Sequence, residues 1–176
     1  MMVDNPESEI SSRMMMEMPF LFRILGVTFM DRLTEFIKPF GIKRREARYI
    51  AVLSFMPLTQ KEMCEILKID KANTARAVDT LRKDGFVENG EHGAGRTYQV
   101  CLTDKGKAVS RELHSFILSV WKEACGGIDD AEAERFMEFL ERVCRNLCGE
   151  KLDADLALMR DAISQQDIKK LSEVTL

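Results

Sequence analysis

Histidine is scarce in this chain. Only His92 and His114 occur in 176 residues, and they are not at metal-ligand spacing to each other. Also missing are G-x-S-x-G, H-E-x-x-H and a phosphate-cradling glycine loop, since Gly93-Ala94-Gly95 alone is too little for a nucleotide site. No catalytic residue, metal site or cofactor is therefore assigned, and the chain is not expected to be an enzyme. No apolar run reaches the roughly 18 residues of a membrane span. The N-terminal stretch has acidic residues and no basic region, which argues against a signal peptide. The five cysteines are an odd number at irregular spacing and do not make a disulfide framework. A reducing, cytoplasmic setting is the simplest expectation.

What is present is a chain 45% hydrophobic and 31% charged, enough for one good-sized domain or a domain with an attached helical platform. The net charge of −3 is unevenly spread. Residues 1–40 carry −2 and residues 107–176 carry −4, whereas residues 41–106 hold 12 basic against 9 acidic side chains, a net +3. The basic middle is the part suited to a polyanion.

That middle contains the strongest local signals. In LTQKEM, Thr59 stands as N-cap with Glu62 three residues on, a capping box, and Leu58 and Met63 fall at the two positions of a hydrophobic staple. After Ile66 and Leu67 a short turn, Lys68-Ile69-Asp70, leads to a second helix capped by Asp70, running to about Asp84 and ended by Gly85. Phe86-Val87-Glu88 then reads as a strand, Gly90 to Gly95 as a flexible turn, and Thr97 to Leu102 as a returning strand in which Tyr98, Val100 and Leu102 alternate with Thr97, Gln99 and Cys101. Two short helices, a tight turn and a Gly-tipped hairpin make a winged helix-turn-helix.

On the second helix Ala75, Val78 and Leu81 share one face, while Asn73, Arg76, Thr80 and Lys83 share the other. The polar set is either plain solvated surface or a major-groove reading face: an amide able to pair with adenine, an arginine for guanine or phosphate, a hydroxyl and a phosphate-reaching lysine. Its place between a capped helix and a Gly-tipped hairpin favours reading. Gln60, Lys61 and Lys71, at the starts of the two helices, join the candidate contacts to double-stranded DNA. Arg96, just beyond the wing tip, has the reach for a minor groove, where a narrow groove concentrates negative potential.

The run LTQKEMCEILKIDKANTARAVDTLRKDGFVEN followed by RTYQVCLTDKG resembles the multiple antibiotic resistance regulator (MarR) family of bacterial transcription factors. GIKRREARYIAVL fits the helix before the family's reading head, and the likeness extends from about Pro19 to Cys148. Its most specific pieces are Leu81, Gly85, Phe86 and Val87 in LRKDGFV, and Leu102, Thr103 and Gly106 in LTxxG. Two departures stand out. Ala94 replaces the acidic residue usual two before the wing arginine, which bears on wing rigidity. Thr74 replaces an aliphatic residue early in the recognition helix, which bears on how that helix packs or what it reads.

The resemblance implies a mainly α protein with a small β-hairpin wing (α+β), a winged helix-turn-helix head on a helical dimerisation platform. It implies a homodimeric repressor on an inverted-repeat operator, released by a small aromatic or lipophilic anionic effector. On this chain the effector walls would include Phe22, Arg23, Met30, Tyr49 and His114, whose plain alternative is core packing or, for Arg23, surface charge. Peroxide-sensing members use a cysteine near the first helix, and none occurs here before Cys64. Cys144 and Cys148, one helical turn apart, are the remaining redox candidates, or small buried hydrophobes beside Val143 and Leu147. The alternatives to a DNA-binding regulator are a winged-helix protein-interaction module and a thiol-based redox-responsive regulator.

Outside the head the pattern is helical. With Pro19 at its first position, one helix is expected over residues 20–37, where eleven of eighteen residues are hydrophobic and lie on nearly every face. Met14, Met15 and Met16 are expected in a short arm. Two further helices carry stripes, Val109, Leu113, Phe116, Ile117 and Val120 in one and Phe136, Leu140, Val143 and Leu147 in the other, divided by Gly126-Gly127. A small head cannot cover three such helices, so a homodimer interface is expected. The expected segments are an arm and dimerisation helix (1–40), the DNA-binding head (41–106), dimerisation helices (107–150) and an added C-terminal helix or tail (151–176).

Overall fold

The computed structural model describes residues 12–92 and 98–149. The elements run α1 (Ser12–Ile37), a short 3₁₀ turn (Lys38–Phe40), α2 (Arg44–Leu53), α3 (Gln60–Leu67), α4 (Lys71–Lys83), β1 (Val87–His92), β2 (Tyr98–Leu102), α5 (Asp104–Ala124) and α6 (Asp130–Cys148). The chain divides into two compact units at Arg44/Arg45. The expected tail helix from Lys151 lies outside the described residues.

In the first unit, α1 begins at Ser12, eight residues before the expected Phe20, and Pro19 sits inside it. Met14, Met15 and Met16 are helical rather than an arm. Methionine, arginine and glutamate are good helix formers, and they outweigh the backbone bond that Pro19 removes. Leu33 and Ile37 are the buried residues of α1, whereas Phe20, Leu21, Ile24, Leu25 and Val27 are exposed. The helix ends where Pro39 opens the 3₁₀ turn and Gly41, at φ +70°, closes it with a bond from its amide to the Lys38 carbonyl. Arg44 then reaches back to α1, its Nε donating to Thr34 Oγ1 at 3.1 Å.

The second unit begins with α2 and contains the helix-turn-helix. The α3 cap is the expected box: the Thr59 amide donates to Glu62 Oε2 at 2.7 Å, and the Glu62 amide to Thr59 Oγ1 at 3.3 Å. Leu58 and Met63 are both buried, as the staple requires. Lys68 makes the bend, at φ +53°, a left-handed conformation that an L side chain adopts only at some cost. Asp70 caps α4 by accepting from the Asn73 amide at 2.9 Å. Ile50, Met63, Val78, Leu81, Val87 and Val100 are the centre of the head's core.

The hairpin is antiparallel, with Val87 opposite Leu102 and Asn89 opposite Val100, and an irregularity between Asn89 and His92. Strand β1 therefore starts one residue later than expected and runs on through Gly90, which was expected in the turn. Leu58 makes a separate bridge to β2, exchanging two backbone bonds with Val100 at 2.8 and 3.1 Å. The segment between α2 and α3 is thereby tied to the wing.

Gly85, at φ +76°, ends α4 and lets Phe86 donate back to the Leu81 carbonyl at 2.8 Å. Thr103 then joins three elements. Its Oγ1 caps α5 by accepting from the Gly106 amide at 3.1 Å and donates to the Gly85 carbonyl at 2.7 Å, while its own amide bonds the Phe86 carbonyl. At Gly106 a Cβ would stand 2.1 Å from the Phe86 carbonyl oxygen, so the LTxxG pattern is a close approach of helix to strand. Along α5, Val109, Leu113 and Val120 are buried. Gly127, at φ +83°, follows, and a second capping box between Asp129 and Glu132 starts α6. No residue of α6 is buried: Phe136 is 52% exposed and Leu147 82%.

Candidate nucleic-acid interface

The two faces of α4 separate as its 3.6-residue period requires. Val78 and Leu81 are buried and Ala75 is half-buried, whereas Lys71, Asn73, Arg76 and Lys83 are exposed and Thr80 is half-exposed. Asp70, Asn73 and Arg76, each three residues apart, form a chain of side-chain bonds. The Asn73 Nδ2 donates to Asp70 Oδ2, and Arg76 Nη2 donates to Asn73 Oδ1 at 2.9 Å. Both edges of the Asn73 amide are thus occupied in the free protein, and the same chain fixes the side chain's direction along the helix. The two hydrogen bonds from Asn73, backbone first, hold the Asp70 carboxyl below its ordinary value. Thr80 Oγ1 donates back to the Arg76 carbonyl at 2.9 Å.

Gln60 and Lys61 open α3 and Lys71 opens α4, so the three belong to two helix starts of the same head. Arg96 lies outside the described residues, as does the wing tip around Ala94.

Thr74 explains one departure from the family pattern. It is fully buried, and its Oγ1 meets the Tyr49 hydroxyl at 3.2 Å and accepts from Cys64 Sγ at 3.3 Å. The hydroxyl therefore points into the head, where α2, α3 and α4 meet through it.

Sequence reasoning passed over Arg82. Its Nη1 donates to Asp79 Oδ1 at 2.8 Å and its Nη2 to Asn89 Oδ1 at 2.9 Å, while Nε is buried with no hydrogen-bond partner among the described residues. The side chain thus bridges the last turn of α4 to the first wing strand. The Asp79/Arg82 spacing of three on a helix was a legible half of this signal. Lys105 similarly binds the corner between helix and strand, donating to the Asp84 carbonyl at 2.7 Å with its ammonium 4.1 Å from the Phe86 ring centre.

Phe22, Arg23 and Met30 occupy exposed positions of α1 in the first unit. In the second, Tyr49 is buried with its hydroxyl on Thr74, and His114 is half-buried with Nε2 at 3.4 Å from Ser54 Oγ and its ring beside Phe55. Burial lowers the affinity of the His114 imidazole for a proton. Cys144 is half-buried and Cys148 exposed on α6, both as free thiols. Cys101 is also free, and burial followed by the nearby Glu88 charge pushes its thiol up, away from the reactive thiolate. Among the described residues no group of three or more His, Cys, Asp or Glu side chains is placed to hold a metal ion. No described helix is long and apolar enough to cross a membrane.

A capped helix, a tight bend, a polar-faced second helix and a two-stranded wing define a winged helix-turn-helix protein. Residues 40–96 match the model of the MarR family. The fold is that of MarR-family regulators of known structure. A MarR transcriptional regulator from Methanosarcina mazei Go1 superposes with a TM-score of 0.62 at 24% identity, over 73% of this chain and 96% of that one. A MarR-family regulator from Silicibacter pomeroyi gives 0.63 at 23% identity, covering 75% and 90%. The S. aureus MepR–DNA complex gives 0.65 at 14% identity, covering 73% and 95%. No curated protein matches the chain.

Proposed function

We propose that the protein is a transcriptional regulator of the MarR type, a homodimer that binds an inverted-repeat operator through α4 and the wing. The observation that carries this reading is the exposed row Asn73, Arg76, Thr80 and Lys83 on a helix whose opposite face is locked into the head's core. A solvated face needs no such order, whereas a reading helix needs both the donors and a rigid seat for them. The net +3 of residues 41–106 in an acidic chain supports the same assignment. So does the fold shared with MepR, whose structure was solved on DNA.

The homodimer rests on exposed apolar surface. Helix α1 leaves Phe20, Leu21, Ile24, Leu25 and Val27 uncovered, and α6 leaves Phe136, Met137 and Leu147 uncovered. Contiguous apolar surface of this kind marks an interaction face. A second copy of the chain is the partner that would also present two heads to a two-fold operator. Repression, with release by a small aromatic or lipophilic anion, completes the proposal. An effector would act by binding better to the arrangement of heads that does not fit the groove spacing.

The direct check is duplex binding by the wild-type protein and by Arg76→Ala at moderate salt. Loss of a base contact is expected to cost about 1–3 kcal/mol on the preferred sequence and less on unrelated DNA. Equal binding of both proteins to every duplex would instead support the protein-interaction reading.

A further inference from the structure

Helix α6 carries an apolar stripe at intervals of four, three and four residues: Phe136, Leu140, Val143 and Leu147. Phe136 and Leu147 are exposed and Leu140 and Val143 only half-buried, so the described residues leave the stripe open along its length. The sequence repeats the same intervals beyond the helix, at Leu152, Leu156, Met159 and Ile163, which lie outside the described residues. Counted outward from the Gly149–Glu150 bond, the two stripes are mirror images: Leu147 matches Leu152, Val143 matches Leu156, Leu140 matches Met159 and Phe136 matches Ile163. On a helix each set falls on one face and spans about 16 Å.

We propose that residues 152–163 form a helix that folds back antiparallel over α6 of the same chain and covers its stripe. The inference goes beyond the regulator reading and does not depend on DNA binding. Helix α6 stops at Cys148, and Gly149 turns the chain at φ +64° and ψ −155°, a region that essentially only glycine enters. The Gly149 amide still bonds the Arg145 carbonyl at 2.8 Å, so the last turn of α6 is closed where the chain leaves it. Residues 149–151 then separate the two helices, and a connection of about two to five residues makes antiparallel neighbours. Antiparallel is also the one direction in which the mirrored intervals bring all four pairs together.

The chemistry of the register agrees with its spacing. Each of the four matched pairs sets one large apolar side chain against another. Arg142 and Asp155 flank the seam on the same side, where such a packing places charges of opposite sign. Away from the stripe, Ala154, Ala157 and Ala162 are the strongest of helix formers. Met137, exposed, and Cys144 continue the apolar surface of α6 round one side of the stripe. With the segment in place, α6 and α1 therefore keep surface for a second copy of the chain.

The test is amide hydrogen exchange on the full chain, wild type and two variants. Exchange over residues 156–163 is expected to be slowed in the wild type, and Leu156→Glu, on the stripe, should speed it by about tenfold or more while the amides of α4 and α5 keep their rates. Leu158→Glu puts the same charge on the opposite side of the expected helix and should leave the protection in place. A wild-type segment that exchanges at the rate of an unstructured chain would overturn the proposal, as would equal effects of the two variants. The covered face is then identified by placing the photoreactive p-benzoylphenylalanine at position 156. The expected product is a crosslink to α6 near Val143 within one chain, of monomer mass. A product that joins two chains would give the stripe to the partner's segment and overturn the fold-back within one chain. A crosslink to any other element, or none at all, would overturn the docking on α6.

Discussion

A Cβ at position 106 would meet the Phe86 carbonyl oxygen at 2.1 Å, closer than any relaxed contact. Gly106→Ala must therefore push α5 away from the strand and strain the Thr103 cap. The expected loss is about 1–3 kcal/mol of stability, read as a lower urea midpoint. Thr74 offers a subtler case, since its buried hydroxyl serves Tyr49 and Cys64 together. Thr74→Val leaves the Tyr49 hydroxyl short of that partner and is expected to cost about 1 kcal/mol, part of which Tyr49→Phe in the same chain should restore. A double-mutant cycle that shows additive losses would contradict the pairing. His114 gives a pH signature. Burial holds its pKa below the ordinary 6.5, so the unfolded chain takes up the proton first as pH falls. Its contribution to stability is complete above 6.5 and is lost as pH falls through that value to the lower folded one. The thermal midpoint should drop across that acid range, and the drop should shrink in His114→Asn.

At the scale of elements, α4 carries the proposed reading row and its own internal bonds. Because Arg76 donates to Asn73, the two side chains form one unit, and their substitution effects on operator affinity should not add. A coupling of about 0.5 kcal/mol or more in a cycle of Asn73→Ala and Arg76→Ala is the expected result; strict additivity would mean that the two read DNA separately. Much of this element structure was legible in the sequence because helix caps are local. Thr59 with Glu62, and Asp70 after its short turn, each announce a start within four residues. What was hidden depends on distant partners or on weak local signals. Helix α1 starts at Ser12 with no acidic residue in its first turn to mark it, and Pro19 gave a false start. The turn at Lys68 was expected, but its left-handed backbone was not, because lysine has no preference for that conformation. The Arg82 bridge to Asn89 depends on where the hairpin register places that strand, and Tyr49 meets Thr74 from 25 residues away.

For the whole molecule, the fold and the match over residues 40–96 are those of a winged helix-turn-helix head, and reading DNA is the function proposed for it. The exposed apolar faces of α1 and α6 are what the proposed partner would cover. If that partner is a second copy, the melting temperature should rise with protein concentration, because association stabilises only the folded state. Phe136→Glu, which puts a charge on an exposed apolar face of α6, should shift the sedimentation profile towards monomer while the head keeps its own fold. An unchanged profile at every concentration would remove the dimer from the account.

The central claim is tested most directly by selecting from a pool of random duplex DNA with the purified full chain at moderate salt and sequencing what is retained. The account predicts enrichment of an inverted repeat whose half-sites are about one helical turn apart. A folded protein that enriches no sequence would contradict it.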